Sequence, residues 1–410
     1  MFDNDFRAEI DALLGPADAH ARLFPGEASA RQPVHTVYVP ADQFSADTCT
    51  QWGEQALALL AEHAPGPSAL AEVAGLSADS IEDVYPRLTA KLASQPIEDV
   101  RVDFEDGYGL RPDDEEDAAA TAAGTALAEM ASRPNAPLLA GIRIKGLQSS
   151  TRWRGLKTLE LLVSAAVAHG GLPARFVVTL PKVAHIAEVQ AGVRVLAHLE
   201  SALGLAEGAL RLELQIEVPQ AVYGPDGSAA VARLVHAAEG RCEGLHYGTY
   251  DFSAAAGVVA GYQSLEHPLA DHAKAVMQLA AAQTGVRVSD GSTNVIPVGD
   301  GVSAAWRLHA RLVRRALERA LYQGWDLHPG HLVTRYAATY AFYRAELAPS
   351  AARLKAYTEK AASGVMDEPA TAQALANAVL RAVESGACDD AEVQQACGLD
   401  RSALLVLARR

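Results

Sequence analysis

Short runs of apolar, β-branched residues, separated by longer Ala- and Leu-rich segments of helical period, set the rhythm of this chain. After a helix and loop over residues 4–30, VHTVYVP (34–40) is the first expected strand. VRVDFEDG (100–107), AGIRIKG (140–146), RFVVTLPKV (175–183), RLELQIEVPQ (211–220), EGLHYGTYDF (243–252), GVRVSDGSTNVIPV (285–298) and YQGWDLHPG (322–330) follow. The segments between them repeat near 3.6 residues, which makes each a crossover helix and the strands parallel. Only the first excursion is longer, with EQALALLAEHA and IEDVYPRLTAKLA both helical. Eight such strands predict a closed (β/α)8 barrel in place of an open sheet, and neither GxGxxG nor a P-loop points to a nucleotide-binding doubly wound fold.

Beyond residue 330 the pattern turns helical, punctuated by Pro349, Gly364 and Pro369. The expected organisation is an N-terminal helical segment (1–30), a barrel (31–345) and a helical C-terminal extension (346–410). The last forty residues could pair two helices, but the acidic ESGACDDAE stretch makes a poor DNA-facing surface.

Composition narrows the function. With 410 residues, half of them hydrophobic, the chain can bury a sizeable core without disulfides or a structural metal. A net charge of −15 excludes a duplex-binding surface and leaves small acidic substrates open, since a few converging cations can hold them. Cys49, Cys242, Cys388 and Cys397 form no CxxC pair, the start lacks a secretory signal, and charges interrupt every apolar stretch before membrane-spanning length. A cytoplasmic protein without a membrane partner is expected.

Polar residues at strand ends carry the candidate chemistry, because a barrel converges them at its C-terminal mouth. DFED supplies Asp103, Glu105 and Asp106; a persisting strand would put Asp103 and Glu105 on one face, where they need a cation, while exposure and helix capping is the plainer alternative. DDEED (113–117) fits a helix N-terminus and receives no catalytic role. Arg143 and Lys145 share a strand face and call for an anionic substrate or for the DFED acids. Lys182 could orient a carboxylate, serve as a Schiff-base amine, or make a structural salt bridge. Glu217 and Asp251, ending the fifth and sixth strands, could hold Mg²⁺ or could cap helices. His246 points toward the barrel and His328 lies at the last strand end, whereas His185, His267 and His272 read as helix or loop residues. GSTNVIP offers backbone donors or a plain turn. No HExxH or GxSxG motif occurs.

These strings, in order, resemble the HpcH/HpaI aldolase and citrate lyase beta subunit superfamily, whose wider relatives include malate synthase. DFED is similar to its acidic DLED motif, GIRIKG to its arginine-bearing strand and TLPKV to its LPKV element. QIEVPQAV and GTYDFSA resemble the strands bearing its metal glutamate and aspartate, and Leu327 to Leu332 resembles its IHPxQI stretch. The resemblance implies Mg²⁺, or the similar Mn²⁺, on Glu217 and Asp251, with Glu105 and Asp106 holding its waters. Arg143 would grip a substrate carboxylate or carbonyl.

The implied reaction makes or breaks a carbon–carbon bond in a small 2-oxo or hydroxy acid through a metal-stabilised enolate. A CoA-thioester lyase or malate-synthase-like condensing enzyme is the alternative. His246, His328 or a DFED carboxylate would move the proton. The chain departs from the simplest pattern in its YGPDGS loop, its long 41–99 segment and its helical tail, and it shows no compact basic motif for CoA phosphates. A tail covering a neighbour's site would make the protein a homo-oligomer.

Overall fold

The computed structural model describes residues 2–28, 30–77, 79, 81–359 and 368–410. Eight strands form one parallel sheet: β1 (His35–Pro40), β2 (Asp99–Asp103), β3 (Leu139–Arg143), β4 (Phe176–Leu180), β5 (Leu210–Ile216), β6 (Cys242–Tyr247), β7 (Arg287–Ser289) and β8 (Gly324–Asp326). Each pairs with its sequence neighbour, and β8 returns to β1, His35 lying opposite Gly324. Between β7 and β8 the contact thins to a Ser289–Gln323 bridge, and the Asp290 amide donates to Gln323 O at 2.8 Å. The eight strands read from the sequence are therefore present, in a (β/α)8 barrel with a helical C-terminal extension.

Alternation along the strands decides what lies inside. Val100, Val102, Leu212, Leu214 and Ile216 join the apolar layer beneath the helices. Their neighbours in sequence, Asp99, Arg101, Glu213 and Gln215, are equally buried but polar. Tyr38 of β1 donates its hydroxyl to Glu213 of β5 at 3.0 Å, a span across the sheet that only the lumen permits. Arg101 donates to Glu213 at 2.8 Å and to Thr179 at 3.1 Å, and it also pairs with Asp99. Charged side chains thus fill this barrel, each bonded to a partner as burial requires.

Two local expectations change. β2 ends at Asp103, so Glu105 and Asp106 occupy the following turn and do not continue a strand face. DDEED does open the helix Asp113–Ala131, but its Glu116 is buried and accepts from Lys145 Nζ at 2.6 Å and Thr158 at 2.6 Å. That contact locks the helix to the end of β3.

One helix, Pro329–Thr358, runs unbroken through residues 345–346, and Pro369–Ser385, Asp390–Cys397 and Arg401–Ala408 complete the tail. Asp389 and Asp400 cap the last two helices. Burial of Val379, Leu380, Val393 and Leu404 attaches the tail to its own barrel. Ion pairs such as Arg87–Glu392 at 2.6 Å and Arg344–Asp83 at 2.6 Å lie at the margin and contribute little. All four cysteines are free and buried. Among the described residues no helix is long and apolar enough to cross a membrane.

Candidate active site

At the C-terminal mouth four carboxylates surround one ammonium. Lys182 Nζ lies 2.5 Å from Glu105, 2.9 Å from Asp106 and 3.8 Å from Asp251, and the Lys182 amide donates to Glu217 Oε1 at 2.7 Å. Lys182 holds a left-handed φ of 53°, which is unusual for a residue with a Cβ and is the kind of strain that clusters at functional sites. Glu217 directly follows β5 and is 1% exposed, whereas Asp106 and Asp251 are 56% and 43% exposed, so the cluster grades from buried floor to open rim. Asp251 sits in the first turn of the helix Thr249–Ala255, four residues past the end of β6, and not at the strand end itself. Gly248 makes the approach possible: a Cβ there would collide with the Glu217 side chain and lie 2.7 Å from its Oε2.

The electrostatics are those of an under-neutralised acidic site. Burial pushes the Glu217 carboxyl up to about 7, with Asp251 and Glu105 adding to the effect against Lys182 and Arg143. Burial likewise raises Glu105. Burial alone would raise Asp106, but Lys182 outweighs it and holds Asp106 below the usual range. Burial would lower Lys182, yet Glu217 and Glu105 hold it above its ordinary value, so it stays an ammonium. A Schiff base needs the free amine, and this environment opposes one. Lys145, on the strand face of Arg143, donates to Phe104 O at 2.9 Å and to Glu116. It therefore answers neither a substrate nor the DFED acids.

Arg143 is held from three sides. Its Nε and Nη2 both donate to Asp103 at 2.6 Å, and its guanidinium lies 4.8 Å from the Tyr38 ring and 5.3 Å from the Trp325 ring. Only Nη1 is loosely held, at 3.4 Å from both Gln215 Oε1 and Glu105 Oε2. The DFED partner of Arg143 is chiefly Asp103, then, and one nitrogen is left facing the carboxylates. Sequence reading missed Tyr38, Gln215 and Trp325; the alternation in HTVYVP and LELQIE carried a signal for the first two.

The candidate histidines do not join this cluster. His246 is buried in the lumen, its Nε2 2.8 Å from Glu213 and its Nδ1 3.4 Å from Tyr38 Oη. His328 caps the helix Pro329–Thr358, accepting from the Gly330 amide at 3.0 Å, and burial lowers its pKa.

A second group, absent from the sequence reading, is buried between β8 and the helices around it. His309, Asp326 and His331 place ligand atoms within 4.8 Å of one another, close enough to hold a metal ion. Most of their polar atoms already face partners. Asp326 accepts from Arg335 at 2.8 and 3.1 Å and faces His309 Nε2 at 3.0 Å. His331 Nε2 lies 3.0 Å from Val295 O, which makes it a donor there, and His309 Nδ1 lies 2.7 Å from Thr334 Oγ1. Burial lowers both histidines, His331 to about 3, and the two rings stack at 4.4 Å as neutral imidazoles can. This is a closed network beside a guanidinium. The four carboxylates at the mouth, hard oxygen donors with an excess of negative charge, fit Mg²⁺ or Mn²⁺ better.

Barrel topology, a helical tail and acids gathered at the mouth define a (β/α)8 barrel with its candidate site at the C-terminal ends of the strands. The chain matches the crystal structure of a citrate lyase from Burkholderia xenovorans LB400 over 92% of its own length and 98% of the other's, with a TM-score of 0.61 at 19% identity. Looser likenesses, which add nothing to the fold assignment, include a malate synthase of Haloferax volcanii in a magnesium/glyoxylate complex (76% of each chain, TM-score 0.49, 15% identity). Another is an HpcH/HpaI aldolase/citrate lyase family protein of Burkholderia cenocepacia J2315 (78% of this chain and 95% of that one, TM-score 0.41, 14% identity). By sequence, residues 14–410 match the family described as Domain of unknown function (DUF6986), and the chain belongs to that family. No curated protein matches the sequence.

Proposed function

We propose that this protein is a divalent-metal-dependent carbon–carbon lyase or aldolase acting on a small 2-oxo or hydroxy acid. The observation that supports it most is Lys182 Nζ among Glu105, Asp106 and Asp251, with Glu217 on its backbone amide. With Arg143 paired chiefly to Asp103, Lys182 does not balance the four remaining carboxylates, and the residual negative charge favours a divalent ion. Glu217 and Asp251 would be the direct ligands, and Glu105 and Asp106 would hold the ion's waters.

When bound, Mg²⁺ or Mn²⁺ supplies stabilisation of the negative oxygen that develops as a carbon–carbon bond breaks beside a carbonyl. Arg143 presents Nη1 to the substrate's carboxylate or carbonyl, while Asp103, Tyr38 and Trp325 keep the guanidinium from turning. Glu105 serves as acid and base. It stands 3.4 Å from Arg143 Nη1, and its raised pKa suits a group that takes the substrate hydroxyl proton and later returns one to carbon. Lys182 keeps Asp106 ionised and, displaced by a metal, would turn its charge toward an anionic substrate.

The test is solvent deuterium exchange into pyruvate, followed by NMR with Mg²⁺ and no CoA. Exchange that vanishes with chelator and falls at least a hundredfold in Arg143→Lys supports the reading. A protein inert toward free acids but active on a CoA thioester would move the assignment to the thioester lyases and malate-synthase-like enzymes.

A further inference from the structure

At the barrel end opposite the carboxylates, the strands begin with arginines. Arg175 precedes β4, Arg211 is second in β5 and Arg287 opens β7. All three turn to Glu243 of β6: Arg175 Nη2 at 3.0 Å, Arg287 Nη2 at 2.9 Å and Arg211 Nε at 3.3 Å. Burial would raise Glu243, but Arg287 and Arg175 outweigh it and hold the carboxyl ionised. Guanidinium groups do not deprotonate in proteins, so three of them on one carboxylate give this cluster an excess of two positive charges, offset in part at Arg287 by Asp99 and Glu213 of the lumen. The Arg287 side chain is nine-tenths buried, and its Nη1 has no partner.

Residues 22–28 and 30 pass over this end and enclose a cavity of about 470 Å³ lined by the three arginines and Glu243. Arg22 and Glu239 on its wall offset each other and leave that excess as it is. On a chain of net charge −15 such a concentration is a local feature. An adjoining cavity of about 520 Å³ shares Arg287 and is lined by Gln278, Gln283, Gln373, Asn377 and Tyr322. Its ion pairs are internally matched, Arg381 with Glu27 and Arg410 with Glu384. What it offers to a ligand is amides. From Arg211 to Glu217 along β5 is roughly 20 Å at ~3.3 Å per residue, so this trough is separate from the mouth.

We propose that the trough binds a phosphate monoester. The phosphoryl dianion answers the excess positive charge at Arg175, Arg211 and Arg287, whose planar forks suit phosphate oxygens. The polar remainder of the ligand lies along the adjoining cavity, whose wall carries the amides of Gln278, Gln283 and Gln373. This site does not depend on the chemistry proposed for the mouth.

Isothermal titration of the full-length protein with inorganic phosphate and with AMP tests it. The expected result is saturable 1:1 binding of both, AMP at least tenfold tighter, weakened at least tenfold in Arg211→Gln and in Arg287→Gln. Arg211 is the more exposed of the two, so Arg211→Gln keeps the test decisive if Arg287→Gln does not fold. Equal affinity for phosphate and AMP overturns the role given to the amides and retains the phosphoryl site. Absence of saturable binding, or binding unchanged in Arg211→Gln, overturns the proposal.

Discussion

His331→Gln separates a neutral, hydrogen-bonded imidazole from an ionised one through the pH dependence of stability. His331 is fully buried in the fold and its pKa is lowered to about 3 by burial and by the neighbouring His309. In the unfolded chain it titrates near ~6.5. Between those values the unfolded state takes a proton that the folded state refuses. The stability His331 contributes is therefore fully present above about pH 6.5 and drains as pH falls toward 3. At ~1.4 kcal/mol per pH unit for one proton, going from pH 6.5 to 4.5 removes up to ~3 kcal/mol.

Glu217 works in the opposite sense, since its raised carboxyl gains a proton in the fold first, so the wild-type slope alone is ambiguous. The difference between wild type and His331→Gln cancels that contribution. Glutamine can still donate toward Val295 O. Urea unfolding followed by circular dichroism at pH 7.5, 6.5, 5.5 and 4.5 should show wild type more stable at pH 7.5 by ~1–3 kcal/mol, the net worth of a buried, bonded side chain. That gap should narrow by about 2–3 kcal/mol by pH 4.5. A gap that stays constant with pH would mean that His331 takes up its proton equally in the folded and unfolded chain, and the neutral network would be wrong.

Asp326→Asn leaves Arg335 buried beside a neutral amide, and urea unfolding at pH 7.5 should lose ~3–5 kcal/mol; a loss under ~1 kcal/mol would deny Asp326 its structural role. Gly248→Ala forces a Cβ into Glu217, so Mn²⁺ affinity, read by electron paramagnetic resonance, should drop at least tenfold while far-UV circular dichroism is unchanged. Lys182→Met removes the ammonium that occupies the acidic cluster; Mn²⁺ should bind about tenfold tighter and pyruvate exchange should slow. Weaker Mn²⁺ binding in that variant would show that Lys182 builds the metal site and does not compete for it.

The barrel was legible because its strands are short apolar runs between segments of helical period, and all eight emerged from that contrast. Strand ends were legible only approximately: Asp251 lies within a helical turn, and Glu105 follows a strand that has already stopped. Contact partners were not legible where they depend on three-dimensional crossing. Lys145 meets Glu116 from a helix start that looked like a solvated acidic cap, and Arg143 spends two of its nitrogens on Asp103. The polar lumen of Arg101, Asp99, Glu213 and His246 was written in the alternation of DVRVD, LELQI and CEGLHY. It reads as a filled core only once closure of the barrel sets Tyr38 against Glu213. The His309–Asp326–His331 network joins a helix, β8 and the start of the following helix, and no local spacing announces it.

Mn²⁺ binding measured by electron paramagnetic resonance on wild type, Glu217→Gln and His331→Gln tests the central assignment most directly. One Mn²⁺ per chain in wild type and in His331→Gln, with at least hundredfold weaker binding in Glu217→Gln, is the predicted result. Unchanged binding in Glu217→Gln together with its loss in His331→Gln would contradict the account and place the metal in the buried histidine cluster.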